Sequence, residues 1–228
     1  MLAGCIKSTS DTVAWLRRGR KLPSNGHGLK LNLGSSLAAY DGWVNVDSSH
    51  HVMLRKLPAF LLSTLYRHSQ MPGWLSEGEY IQRLKSRRFV HHNLVYGIPF
   101  ADSSADYVYS SHFIEHLYHE DGARMLQEMF RVLRPGGRAR VCVPDLDHAV
   151  RLYLHGEKEQ ALEYFFRPAG AHICDRHKYM YDFDMLAQDL RSAGFQCVER
   201  CQFRQGRVPD LDRLDNRESE TLYVEAVK

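Results

Sequence analysis

Small and polar residues follow four short segments whose composition predicts β-strands. Ligands of open α/β sheets bind beyond the carboxyl ends of the strands, so these four ends are candidates for one site. A glycine there lets the backbone approach a ligand, and a carboxylate can accept hydrogen bonds from a sugar diol. Each feature alone is commonly a plain turn or a cap, whereas their joint order favours a ligand site. The residues are Asn32, Gly34, Ser35 and Ser36 at the first end, Asp47 at the second, Asn93 and Leu94 at the third, and Ser110, Ser111 and His112 at the fourth.

Two histidines and one acid are candidates for acid–base chemistry. His112 and His116 lie just past the fourth predicted strand and one helical turn apart, and imidazole titrates near neutral pH. Asp145 follows the fifth predicted strand, Arg138–Val143, where it could orient an acceptor. The structural alternative is that His112 packs against a bound ligand and that His116 caps a helix or fills the core.

A second group of potential ligands lies in one loop. His172, Cys174, Asp175, His177 and Tyr179 could be interpreted as a metal site. They are crowded together with no matching second half, unlike the ligand spacing of zinc sites. We therefore predict a lid over the acceptor, and no metal ion is assigned.

The elements that position these residues alternate between strands and helices, which predicts a doubly wound, three-layer α/β/α domain over residues 1–228. The clearest helix carries its apolar face on Met125, Leu126, Met129 and Val132 and is expected to stop at Pro135-Gly136-Gly137. Another helix is capped by Asp182 and ends at Gly194. Three segments lie outside the alternation: a lead-in over 1–28 with a helix at Thr12–Arg18, a helical insertion over 52–88, and a lid-like insertion over 146–181.

Composition narrows the class of protein. Lys and Arg exceed Asp and Glu by only three (30 against 27), which argues against a nucleic-acid partner. The five cysteines form no CxxC pair, so a reducing, cytoplasmic location is expected. Apolar runs such as Leu57–Leu65 are too short to span a bilayer, which needs about 20 residues.

The run Ile98–Leu117, with Leu133-Arg134-Pro135-Gly136-Gly137 and Ala193-Gly194-Phe195, resembles the signatures of class I S-adenosylmethionine-dependent methyltransferases of the small-molecule type. The resemblance implies a Rossmann-like, seven-stranded, mostly parallel sheet with the last strand antiparallel. It implies that Asn32, Gly34 and Ser35 line the methionine and ribose of S-adenosylmethionine, that Asp47 binds the ribose hydroxyls, and that Asn93 and Leu94 meet the adenine. Residues Ser110 to His112 would lie under the methionine, and S-adenosylhomocysteine would be the product.

The sequence departs from that family pattern at three places. Asn32 stands where the family has an acid, Ser36 and Ala38 replace later glycines, and Asn93 stands where an acid is common. Gly34 and Asp47 are 13 positions apart, which leaves room for a turn or two of helix at most. We expect methyl transfer to an oxygen or nitrogen of a small-molecule or glycan-type acceptor. The alternative is a degenerate member that binds cofactor without turnover. A nucleic-acid methyltransferase is disfavoured because Val143-Pro144-Asp145 replaces the Asn/Asp-Pro-Pro-Tyr/Phe run of adenine-modifying enzymes.

Overall fold

A computed structural model describes residues 2–19, 21–23, 28–69, 71–166 and 176–228, with side chains described from residue 9 onward. Seven strands form one sheet in the order β3-β2-β1-β4-β5-β7-β6. β7 runs antiparallel to both of its neighbours, and the other pairings are parallel. This confirms the predicted doubly wound sheet with an antiparallel last strand. The strands are β1 (Lys30–Leu33), β2 (Val44–Asp47), β3 (Phe89–His91), β4 (Ala105–Ser111), β5 (Leu133–Pro144), β6 (Gln196–Cys201) and β7 (Thr221–Val227).

Helices surround this sheet, and the main core lies between them and the central strands. None of the described helices is both long and apolar enough to cross a membrane. The helices are α1 (Leu2–Leu16), α2 (His50–Leu54), α3 (Ala59–Arg67), α4 (Glu77–Ser86), α5 (His119–Val132), α6 (Leu146–Leu154), α7 (Lys158–Phe165), α8 (Phe183–Ser192) and α9 (Leu211–Leu214). Short 3-10 helices occupy Met71–Gly73, Leu94–Tyr96 and Ile114–His116.

Three predicted boundaries were wrong. The first helix covers Leu2–Leu16 instead of Thr12–Arg18. The third strand, predicted over Arg88–Leu94, ends at His91, because Asn93 caps a 3-10 helix through its side chain. The predicted helix stop at Pro135-Gly136-Gly137 lies inside β5, since α5 already ends at Val132 and the backbone turns extended at Leu133. Gly136 there adopts a φ of 78°, and its amide donates to the carbonyl of Lys228 at 2.7 Å.

The segment from β1 to β2 contains no helix; residues 34–43, all of them described, form turns and coil. The helices of the 52–88 region cover this segment instead. Leu62, Tyr80 and Leu84 pack in a second core cluster with Leu37 and Ala39. The Arg83 guanidinium also donates to the carbonyl of Leu37 at 3.0 Å. The helices of the 52–88 region therefore bury the connection between β1 and β2, which has no helix of its own.

Candidate functional site

The turn after β1 is built around Gly34, whose φ of 64° falls in the left-handed region that glycine adopts without strain. A Cβ atom at this position would overlap the ring of Phe113, which packs directly on the turn. The Gly34 amide donates to the carbonyl of Val46 at 3.0 Å, which ties the turn to β2. The sequence predicted the glycine, but nothing in it indicated that Phe113 covers it.

Asp47 ends β2 beside this turn. Its Oδ2 accepts from the Ser36 amide at 2.9 Å, and its Oδ1 accepts from the Ser49 amide at 2.7 Å. The side chain remains half-buried, and each carboxylate oxygen can accept more than one hydrogen bond. Two backbone amides therefore hold the carboxylate in one orientation. Its oxygens can still accept hydrogen bonds from the two hydroxyls of a diol. Ser35, between Gly34 and Ser36, is buried.

Asn32 lies beneath the turn and is only 3% exposed. Its Nδ2 donates to the carbonyl of Ala38 at 2.8 Å and to Oδ1 of Asn45 at 2.9 Å. Asn45 in turn accepts from the Tyr40 amide at 3.1 Å. The pair of amides thus holds the coil between β1 and β2 in place of the absent helix. Sequence analysis missed Asn45, although a polar residue in the middle of an otherwise apolar strand was a usable signal.

Asn93 and Leu94 follow β3 on the far side of Asp47. The amide of His92 donates to the Asp47 carbonyl at 3.1 Å, so this end of β3 sits beside the end of β2. Asn93 Oδ1 accepts from the Val95 amide at 3.0 Å, and Leu94 is buried. The third strand end therefore places an apolar residue next to an amide side chain that is held by a hydrogen bond.

Ser110 and Ser111 end β4 next to β1, and His112 follows directly. Leu33 pairs with Ser110 in register, and Ser110 is buried with no hydrogen-bond partner for its hydroxyl among the described residues. His112 has a φ of 50°, and its amide donates to the Cys142 carbonyl at 2.9 Å. Its Nε2 lies 3.0 Å from the Thr221 hydroxyl.

Glu115 is a second residue that the sequence analysis missed. Its side chain is 1% exposed, and its Oε1 lies 3.4 Å from His112 Nδ1 and 3.8 Å from His116 Nε2. Burial by itself raises the pKa of Glu115, but the two neighbouring imidazoles outweigh burial and bring the pKa below its usual value. The structure therefore brings both predicted histidines to one buried carboxylate. The available signal in the sequence was an acidic residue that follows His112 by three positions and directly precedes His116.

Asp145 has different partners. Its side chain caps α6 by accepting from the Asp147 amide at 3.1 Å, and its Oδ2 accepts from Arg200 at 2.8 Å. It is 5% exposed, and among the described residues no hydrogen bond or ion pair is found between it and His112 or His116. The predicted acceptor-orienting role of Asp145 thus stays a prediction.

The predicted lid loop is described only in part. His172, Cys174 and Asp175 lie outside the described residues. His177 lies beside His116, with ring centroids 5.2 Å apart, and the Lys178 amide donates to the Glu115 carbonyl at 2.7 Å. Tyr179 stacks on His119 at 4.3 Å. The described part of the loop therefore lies against the 3-10 helix that carries Glu115 and His116.

A family model matches part of this chain. Residues 75–141, which include β3, β4 and most of β5, match the family model of a methyltransferase domain. No curated protein matches the chain in sequence.

Solved structures show the same fold. A proposed O-methyltransferase from Nostoc punctiforme PCC 73102 is 14% identical, with a TM-score of 0.52 over 100% of this chain and 58% of its own. PigF, in complex with S-adenosylhomocysteine, is 13% identical, with a TM-score of 0.50 over 89% of this chain and 51% of its own. At these identities the structures establish the fold alone. The match over residues 75–141 and the seven-stranded sheet together show a Rossmann-like fold similar to that of S-adenosylmethionine-dependent methyltransferases.

Proposed function

We propose that this protein is a methyltransferase that holds S-adenosylmethionine across the carboxyl ends of β1, β2, β3 and β4 and methylates a small-molecule or glycan-type acceptor at oxygen or nitrogen. The observation that carries the proposal is the 2.9 Å hydrogen bond from Ser36 to Asp47, which joins the glycine turn to the carboxylate. In this arrangement Asp47 binds the ribose diol, and Asn93 with Leu94 borders the adenine. Gly34, Ser35 and the Ser110–His112 end border the methionine.

The reaction is an in-line displacement at the sulfonium methyl group. The carbon–sulfur bond breaks as a carbon–oxygen or carbon–nitrogen bond forms, and the sulfonium leaves as a neutral thioether. The leaving group is already activated, so the protein mainly supplies proximity and orientation. A hydroxyl or ammonium acceptor must also lose a proton. His112 is our candidate for that base, because Glu115 at 3.4 Å would stabilise the imidazolium that forms.

Calorimetry with S-adenosylmethionine and S-adenosylhomocysteine, followed by transfer of a labelled methyl group to panels of sugars, phenols and amines, tests this function. We expect saturable binding of both compounds and labelled product from one acceptor class. Absence of binding at millimolar concentration would refute the site. If the acceptor is a hydroxyl, a His112→Ala variant should lose turnover by a much larger factor than it loses affinity for S-adenosylmethionine.

One observation favours a second candidate, a cofactor-binding protein without turnover. The amides of the turn are already used within the protein, since Gly34 donates to Val46 and Ser36 donates to Asp47. No helix starts at this turn to add its N-terminal dipole. Cofactor binding with no methyl transfer to any of these acceptor classes would support this candidate over the enzyme.

A further inference from the structure

We propose that Glu115, His116 and His177 form a binding site for a first-row divalent transition-metal ion such as Zn²⁺. One potential ligand atom from each residue lies within 4.8 Å of the other two. Ligand atoms around a tetrahedral ion bound at about 2.0–2.2 Å lie roughly 3–3.5 Å apart. Side-chain movements of about an ångström would therefore close the cluster around an ion.

The first argument is that the carboxylate of Glu115 lacks hydrogen-bond donors. Both of its carboxylate oxygens are buried, and neither accepts a hydrogen bond of ordinary geometry from the described residues. Burial of a carboxylate that accepts no hydrogen bond costs several kcal/mol, roughly, and buried charges are normally paired or bound to a metal ion. His112 Nδ1 lies 3.4 Å from Oε1, beyond the ordinary range of a hydrogen bond, so a further positive group is expected at this position.

The second argument is the orientation of the two imidazoles. His116 Nδ1 lies 3.2 Å from the carbonyl oxygen of Arg176, and His177 Nδ1 lies 2.5 Å from that of Tyr164. A carbonyl can only accept, so each Nδ1 carries a proton, and in the neutral ring Nε2 then carries the lone pair. Histidines that bind metal ions almost always donate their other ring N–H to a carbonyl or carboxylate in this way.

The third argument is the position of His116 beside the carboxylate. His116 Nε2 lies 3.8 Å from Glu115 Oε1, so a ring nitrogen without a proton and a carboxylate oxygen lie close to each other. A metal ion bound by both atoms would offset the charge of the carboxylate. Two imidazoles and one carboxylate suit Zn²⁺, Fe²⁺ or Co²⁺ better than Mg²⁺ or Ca²⁺, which prefer oxygen ligands alone.

Three protein ligands leave at least one coordination position for an outside oxygen. The assignment of this oxygen to the methyl acceptor depends on the proposed function. Metal binding itself is measured without S-adenosylmethionine. Failure of the metal site and failure of the cofactor site are therefore separate results.

Titration of untagged, chelator-treated protein with Co²⁺, followed by visible absorption and competition with Zn²⁺, tests the site. We expect one equivalent bound by the wild type, and apparent affinities at least tenfold weaker in His116→Ala and His177→Ala. His119→Ala is the matched control, because His119 pairs with the Asp189 carboxylate at 2.9 Å outside the cluster. This control should bind Co²⁺ as the wild type does.

Thermal melting with and without Zn²⁺ provides a second readout that needs no spectrum. Zn²⁺ should raise the melting temperature of the wild type and of His119→Ala, and leave that of His177→Ala unchanged. If the wild type shows no saturable binding at millimolar Co²⁺, or if both cluster variants bind as tightly as the wild type, the proposal is overturned.

Discussion

The ring of Phe113 lies directly against Gly34, so closely that a Cβ atom on Gly34 would overlap it. Gly34 follows β1, and Phe113 follows β4 next to His112, so this contact joins two strand ends of the proposed cofactor site. The absence of a side chain at position 34 is thus required twice, by the positive φ of the turn and by the ring above it.

Replacement of Gly34 by alanine should therefore displace Phe113 and weaken S-adenosylmethionine binding at least tenfold, or by about 1.4 kcal/mol. Gly42→Ala is a matched control. Gly42 also has a positive φ, 79°, but a Cβ there would meet only the end of the Lys30 side chain, at 3.5 Å or more. Both variants should lose roughly 1 kcal/mol of stability from backbone strain. Only Gly34→Ala should change the dissociation constant measured by calorimetry, and equal affinities would contradict this account.

Asp47→Asn should weaken S-adenosylmethionine binding by about 1.5–3 kcal/mol, since the proposed hydrogen bonds from the ribose diol would lose a charged acceptor. The comparison is Asp106→Asn. Asp106 accepts a backbone amide too, from Gly28 at 2.6 Å, but it lies near the start of β4 and not at its carboxyl end. If the two variants bind S-adenosylmethionine equally well, Asp47 does not hold the ribose.

Arg140 lies in β5, fully buried between two carboxylates. Its guanidinium is 2.5 Å from Asp215 Oδ2 and 3.0 Å from Glu225 Oε1. Arg140→Met would leave two buried carboxylates without their cation. We therefore expect a loss of about 3–5 kcal/mol in the free energy of unfolding, measured in urea. Arg138→Met, two residues earlier on the same strand and half-buried, should cost less than about 1 kcal/mol. A small loss in Arg140→Met would show that the cluster is not held by its charge.

Asp210 provides a pH-dependent contribution to stability. Hydrogen bonding from Lys30, at 2.6 Å, is the largest cause that lowers the pKa of Asp210 to about 2, and Trp43 Nε1 adds a second bond at 3.0 Å. A pKa depressed by folding gives stability that is present above the ordinary value near 3.8 and is lost as the pH falls toward 2. Asp210→Asn should thus cost about 1–2 kcal/mol at pH 7.

The difference between this variant and the wild type should narrow as urea midpoints are followed from pH 4 downward. Asp212→Asn, an exposed neighbour in α9, should stay close to the wild type throughout. If the difference in stability between Asp210→Asn and the wild type is unchanged below pH 3, the charge of Asp210 is not its cause.

Much of the fold was predictable because its signals are local. The apolar face of α5, the Asp182 cap of α8 and the Gly194 stop lie within a few residues of the elements they define. The four strand ends were predictable for the same reason, since a strand and the turn after it are contiguous. The predicted boundaries of helices and strands were least accurate where a tertiary contact competes with a local signal. Gly136 is an example, because its amide donates to the carbonyl of Lys228.

The sequence by itself determined which residue types stand at the carboxyl ends of the strands and in which order. Only the tertiary structure decided which of them meet. His116 and His177 are 61 positions apart, and they are neighbours because the loop before α8 lies against the 3-10 helix after β4. Asp145 was predicted beside the acceptor, and the return of β6 supplies Arg200 to its carboxylate. Such contacts depend on how helices and strands pack across the sheet, and the spacing of residues along the chain carries no record of that packing.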